Sequence, residues 1–327
     1  MRARRLVFAG RRTLRLDQVE VAEPGPSEVL VRTEYSGISG GTEMLAYRGE
    51  IDPVLPLDET IGALEGTFAY PFAYGYSCVG RVERGTLEGE RMFAFHPHQD
   101  LFVAPERDVL PLGAIDPRVA TLFPLVETAL QVTLEAGAGL GGVAAVIGLG
   151  PVGTLCAALL ERTGAVVLGS DPDPARREAV EAFGVASTSP RQLHDDIDRA
   201  SAGRGADLLV EASGDPAALA DGLELLAHEG IALVCSWYGT KPVSLPLGGA
   251  FHRRRLTIRS TQVSTIPRAL QGRWSRERRR AEALRLLEDL PLKVLATHDF
   301  PFDEAPRAYE ALDHGEPGLM HAALRYG

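Results

Sequence analysis

Gly148, Gly150 and Gly153 stand in Gly-x-Gly-x-x-Gly spacing, directly after the short apolar run 143–147 and at the head of an Ala- and Leu-rich stretch of helical character. A second apolar run follows and ends at Asp171, 21 positions after Gly150. Strand, glycine turn, helix, strand and terminal carboxylate in that order form the setting a dinucleotide requires. The first glycine permits the tight turn, the second lets backbone N–H groups close on a pyrophosphate, and the third lets helix pack on strand. The helix, opened by Pro151 and Val152, then turns its partial positive charge toward the phosphates. Asp171 has the spacing of a carboxylate that holds the adenosine ribose hydroxyls, which favours NAD and repels the extra phosphate of NADP. Arg176 and Arg177 follow closely. They can soften that preference, leaving NADP possible, or lie solvated on a helix surface. Two other readings fit the glycine spacing: a turn without a ligand, and a methyltransferase site for S-adenosylmethionine.

Glu127 interrupts the apolar run 125–130 and faces either a cleft near the nicotinamide or water. His96 and His98 have His-x-His spacing, a weak metal signal without further ligands. The segments 211–214, 236–238 and 260–262 each follow a strand-type run, and ligands in parallel sheets bind at the carboxyl ends of strands. Ala212, Ser213, Ser236, Trp237, Ser260 and Gln262 are therefore expected beside the cofactor.

The elements that must position these residues fall into two blocks. About 120 residues rich in Gly and Pro carry short β-type runs at 28–33, 78–83 and 91–95, and the basic N-terminus reads as a first strand. Near Pro124 the pattern changes. Residues 125–136 are helical, and strands alternate with helices to about residue 261, with further parallel strands at 206–213 and 231–236. Such alternation means a doubly wound parallel sheet. A helical run at 275–290 precedes the alternating segment HAALRY, which returns to the first block. The fold class is α/β: a β-rich domain of residues 1–124 and 262–327 around a dinucleotide-binding domain of residues 125–261.

The 327 residues suffice for two domains, and 45% apolar with 24% charged residues is the composition of a soluble globular chain. A net charge of −10 argues against a nucleic-acid partner. No apolar run approaches the roughly 18 residues of a membrane span, and the N-terminus has no secretory signal, so the expected location is the cytoplasm. Three scattered cysteines, at 78, 156 and 235, encode neither a disulfide framework nor a Cys-rich zinc lobe. The basic segments 251–255 and 276–280 are either solvated faces or an electrostatic funnel for an anionic substrate.

The chain resembles the medium-chain dehydrogenase/reductase superfamily, in which a GroES-like β domain encloses a Rossmann domain. Gly148-Leu149-Gly150-Pro151-Val152-Gly153 is similar to that family's GxGPxG cofactor loop, and Pro151 speaks against the methyltransferase reading. Residues 36–43 (SGISGGTE) and 75–82 (GYSCVGRV) resemble the branch that includes bacteriochlorophyllide a dehydrogenase. The branch is carried over, and the tetrapyrrole substrate is not. The resemblance implies a homodimer or homotetramer and places Thr128 beside the nicotinamide.

The departures from the family matter. Where its zinc alcohol dehydrogenases have a Cys, a His in Gly-His-Glu, and a further Cys or Glu as ligands, this chain has Ser39, Tyr76, and Phe123 or Pro124. Zinc favours thiolate, imidazole or carboxylate, so no active-site zinc is expected. Hydride transfer to a carbonyl still builds charge on oxygen, which needs hydrogen-bond or proton donors. By alignment, Ser39 and Tyr76 are first candidates. Thr42 falls near the family's proton-relay hydroxyl, Glu43 near its neighbouring acid, and His96 in its substrate pocket, where an imidazole titrating near neutrality can move protons. Each also has a plain reading, as filler, core phenol or structural imidazole. An alcohol/carbonyl couple leads, an enone or quinone double-bond reductase follows, and a non-catalytic nucleotide-binding protein is the third reading.

Overall fold

The computed structural model describes all residues, Met1–Gly327. They form two compact units: Met1–Pro124 with Leu295–Gly327, and Leu125–Val294.

In the first unit, β1 (Arg2–Gly10), β2 (Thr13–Glu20), β3 (Glu28–Ile38), α1 (Thr42–Arg48), β4 (Phe72–Ala73), β5 (Cys78–Arg84), β6 (Arg91–Ala94), β7 (Leu101–Pro105), β8 (Val109–Pro111) and α2 (Pro117–Ala120) precede α3 (Phe123–Ala136), which leads into the second unit. The Arg-rich N-terminus does form the first strand. It buries the consecutive run Leu6, Val7 and Phe8. β1 lies between β2 and β4 in a small antiparallel sheet, and β3 pairs with both β5 and β7 in a larger one. Helix α1 buries Glu43 through Tyr47 and stops at Gly49, whose φ of 67° is a left-handed cap.

The second unit holds β9 (Val143–Ile147), α4 (Pro151–Glu161), β10 (Val166–Ser170), α5 (Pro174–Glu181), β11 (Ala186–Thr188), α6 (Leu193–Ser201), β12 (Ala206–Glu211), α7 (Pro216–Gly222), β13 (Leu226–Val234), β14 (Thr257–Ser260) and α8 (Arg276–Asp289). Its six strands are all parallel and ordered β11-β10-β9-β12-β13-β14. Counted from β9, that is 3-2-1-4-5-6, the doubly wound order of dinucleotide-binding sheets. The central strands read as unbroken apolar runs because helices cover both faces.

The chain leaves the first unit at the expected place but rejoins it at Leu295, not at 262. The reason lies in α8. Arg279 reaches Glu127 and Gln131 of α3 and the Val263 carbonyl, tying residues 263–289 to the second unit. After Leu295, β15 (His298–Pro301), α9 (Ala305–His314) and β16 (Ala322–Arg325) complete the first unit. β16, the expected returning segment, pairs antiparallel with β3, setting Ala322 opposite Ile38 and Leu324 opposite Ser36. That register delivers Tyr326 to Ser36, while α9 delivers Tyr309 to Glu43.

Candidate functional site

In the second unit the glycine loop lies at the topological switch point, between β9 and β12. Gly148, with φ of 89°, packs so close to the loop after β12 that a Cβ would lie 2.6 Å from Ser213 backbone. A Cβ on Gly153 would lie 1.8 Å from the Gly148 carbonyl oxygen. These two glycines are explained by internal sterics. Gly150 is not: its φ of −63° suits any residue, and a Cβ there would meet nothing within 4 Å. As N-cap of α4, it leaves the helix N-terminus open to an approaching anion.

Asp171 ends the second strand of this motif and is buried. Its Oδ2 accepts the Leu149 N–H at 2.8 Å and its Oδ1 the Asp173 N–H at 2.9 Å. The carboxylate is thereby tied to the glycine loop. Arg176 stands 3.6 Å from Asp171 Oδ2 and 3.8 Å from Asp173, while Arg177 donates to the Asp171 and Pro172 carbonyls. Neither arginine is merely solvated.

Ala212 and Ser213 follow β12, Ser236 and Trp237 follow β13, and Ser260 ends β14 just before Gln262. All six occupy strand carboxyl ends. Gln262 accepts the Ser264 N–H. Ser236 Oγ accepts the Gly214 N–H at 2.9 Å. Thr128 is part of α3. A buried carboxylate at the head of the expected segment 211–214, given no individual role by the sequence, organises this edge. Glu211 takes both the N–H and hydroxyl of Ser213 on Oε1, at 2.7 and 2.6 Å, and the Tyr238 hydroxyl on Oε2 at 2.6 Å. Burial, followed by that bond, raises the Tyr238 pKa. The Glu-Ala-Ser-Gly turn after a strand was the available signal.

In the first unit Ser39, Thr42, Glu43 and Tyr76 converge. Burial and then the Glu43 charge push the Tyr76 phenol up to about 12, against hydrogen bonds from the Ser39 and Thr42 side chains that pull it down. Tyr76 is therefore a protonated donor at neutral pH, flanked by two hydroxyls. Glu43 is wholly buried and does not reach outward. Its Oε1 accepts the Ser39 N–H at 2.8 Å, and its Oε2 accepts His98 Nε2–H at 2.9 Å and the Tyr309 hydroxyl. His98 Nδ1 in turn meets Ser36 Oγ at 2.6 Å, which meets the Tyr326 hydroxyl at 2.8 Å. His98, Ser36, Tyr309 and Tyr326 were not singled out for this network, and no local spacing links them.

His96 makes no hydrogen bond to that cluster. Its ring stacks on Phe102 with centroids 3.9 Å apart, and Nδ1–H donates to the Pro97 carbonyl at 2.9 Å. Burial lowers its pKa to about 4, so it is a neutral acceptor at Nε2 rather than a group titrating near pH 7. Glu127 faces neither a cleft nor water. It is buried in an ion pair with Arg279 at 3.0 Å, where burial pushes its carboxyl up against the pull of Arg279 and Arg280. The reason is α8, which a reading of α3 alone does not contain. In the basic segments, Arg279 is thus a core residue, and Arg254 donates to the Glu224 and Leu226 carbonyls at 2.8 Å.

The zinc-type donor set does not fit here. Its three positions hold a hydroxyl, a phenol, and Phe123 or Pro124, with Phe123 fully buried. No three His, Cys, Asp or Glu side chains come together as a metal-holding group. His98, the partner in the His-x-His pair, is spent on Glu43 and Ser36.

Residues 151–282 match the family model for zinc-binding dehydrogenases. The 2-desacetyl-2-hydroxyethyl bacteriochlorophyllide A dehydrogenase of Cereibacter sphaeroides is 28% identical, over 99% of this chain and 98% of that protein. By both comparisons the chain is similar to the zinc-type alcohol-dehydrogenase-like medium-chain dehydrogenase/reductase superfamily. Its GroES-like and Rossmann units are those of the superfamily fold. The L-threonine 3-dehydrogenase of Bacillus subtilis is 29% identical over 63% of this chain, a match spanning 58% of that protein's length. A solved alcohol dehydrogenase of Escherichia coli CFT073, complexed with NADH, superposes with a TM-score of 0.79 at 16% identity, covering 99% of both chains. No helix is long and apolar enough to cross a membrane.

Proposed function

We propose that this protein is an NAD-dependent oxidoreductase of the alcohol/carbonyl class that works without an active-site zinc. Gly150 carries the cofactor half of this reading: it is a glycine with no internal steric reason, at an open helix N-terminus, with Asp171 tied to the same loop. Gly148–Gly153 would hold the pyrophosphate and Asp171 the adenosine ribose, while Ala212, Ser213, Ser236, Trp237, Ser260, Gln262 and Thr128 lie at the ends expected to line the cofactor. A bound nicotinamide supplies or accepts the hydride. Tyr76 donates to the substrate oxygen as charge develops, with Ser39 and Thr42 completing a hydroxyl set that takes the place of a Lewis acid. In the oxidative direction the hydride leaves to the bound nicotinamide, and the alcohol proton passes to one of these hydroxyls as that hydroxyl releases its own proton to water. His96 offers a neutral Nε2 acceptor.

The substrate is a small molecule. Arg254 and Arg279 are committed to backbone carbonyls and to Glu127, which weakens the argument for an anionic one. The reading includes a cytoplasmic homodimer or homotetramer formed through the Rossmann unit, whose edge strand β14 has one unpaired side. Metal analysis paired with NADH and NADPH fluorescence titration tests the proposal. NADH binding and secondary-alcohol turnover without zinc support it; one zinc per chain, required for turnover, defeats it. Enone reduction in place of alcohol oxidation would move the protein to double-bond chemistry.

A further inference from the structure

Glu43 is a charge with no outlet. A carboxylate taken out of water is costly unless donors surround it. The donors converge from separate parts of the chain: the Ser39 N–H after β3, His98 before β7, and Tyr309 on α9. The bond to Ser39 is reciprocal, since the Glu43 N–H donates to the Ser39 carbonyl at 3.0 Å. This ring fixes the turn that carries Ser39 and Thr42. His98 also touches the other loop. A Cβ on Gly75, next to Tyr76, would lie 2.5 Å from the His98 ring, so the Tyr76 loop is seated directly on that imidazole.

We propose that Glu43 and His98 are positioning residues: without touching substrate, they set the Ser39–Thr42 turn and the Tyr76 loop so that the three hydroxyls share one focus. The inference rests on the hydroxyl-assisted reading given above. His98 is the wedge between the two loops. Ser36 and Tyr326 fix its ring on the far side, and Glu43 converts that placement into a hold on the Ser39 backbone.

The test uses Glu43→Gln and His98→Asn in the full-length chain. Glu43→Gln keeps the shape but puts an amide donor where only acceptors suit. Expected are a kcat lower by ~10- to 100-fold, as for small misplacements of reacting groups, a substrate KM and NADH Kd within about twofold of wild type, and faster amide hydrogen exchange confined to residues 36–48 and 74–78. Wild-type kcat in both variants overturns the proposal. So does accelerated exchange throughout the first unit, which marks a purely structural role. If the wild-type chain turns over no alcohol or carbonyl, the functional reading fails on its own. Exchange then decides the positional claim: local loosening of both loops in His98→Asn supports it, and unchanged protection overturns it.

Discussion

The guanidinium of Arg279 and the carboxylate of Glu127 meet at 3.0 Å with both side chains almost wholly out of solvent. They join α8 to α3, and Gln131 and the Val263 carbonyl each take a further guanidinium proton. Losing one partner strands a buried charge, whereas replacing both by apolar groups removes the desolvation cost as well. Glu127→Ala should therefore destabilise the chain by ~3–5 kcal/mol, and the double variant Glu127→Leu with Arg279→Met should recover most of that. Urea unfolding of the wild type and both variants checks it. Equal losses in single and double variants would contradict it.

Gly150 and Gly153 should respond in opposite ways. Alanine at 150 meets nothing within 4 Å and should leave Tm within a degree or two of wild type while weakening NADH binding at least tenfold. Alanine at 153 meets the Gly148 carbonyl at 1.8 Å and should lower Tm sharply. Thermal melts with NADH titration separate the two effects.

Asp171→Gly should reduce NADH affinity and raise that for NADPH, because Arg176, 3.6 Å from the lost carboxylate, becomes available to a 2′-phosphate. Adding Arg176→Ala should abolish the gain for NADPH alone. Competitive fluorescence titration of both nucleotides measures the switch.

Tyr76→Phe removes one donor from the hydroxyl set and should lower kcat by ~10²- to 10³-fold with little change in NADH affinity. Steady-state rates with a secondary alcohol provide the readout. A kcat near wild type would remove Tyr76 from the chemistry.

Burial lowers the pKa of His321 from 6.5 to about 4, and His96 likewise. The folded state therefore stays unprotonated at these sites while the unfolded chain binds protons below 6.5. Stability should be level above pH 6.5 and fall as pH drops from 6.5 toward 4, with His321 alone contributing ~3 kcal/mol to the loss. Denaturant unfolding from pH 7 to 4.5 should show that slope, and His321→Gln should reduce it by about half, His96 supplying the rest. Stability that rises into acid would refute the assignment.

The Rossmann unit was legible because its signals are local: strand, turn and helix follow one another within 143–171, and Gly153 packs on its near neighbour Gly148. The first unit's strands at 28–33, 78–83 and 91–95 were legible for the same reason, as short local β-type runs between Gly- and Pro-rich stretches. Glu127 was not, since Arg279 lies 152 residues away, and a run of arginines reads as solvated until one of them is found inside. The late return at Leu295 follows from that same pair. Family alignment brought Ser39, Thr42, Glu43 and Tyr76 to one place, yet only the fold shows that Glu43 points inward, to His98 and Tyr309. His96 was singled out where His98 is the organiser, because nothing in His-x-His spacing says which ring is seated on Gly75.

Tyr309 follows Glu43 by 266 residues, and Tyr326 follows Ser36 by 290. A ribosome adding ~5–20 residues per second needs on the order of tens of seconds to cover that distance. During that interval the parallel sheet of residues 125–294 can emerge whole, while the Glu43 carboxylate must stay in water because part of its shell has not yet been made. β3 also waits for β16, its antiparallel neighbour. The hydroxyl focus is thus the last part of the molecule to exist. A nascent chain of this protein could hold nucleotide before it could act on a substrate, and the two halves of the proposed chemistry would be switched on in sequence by translation itself.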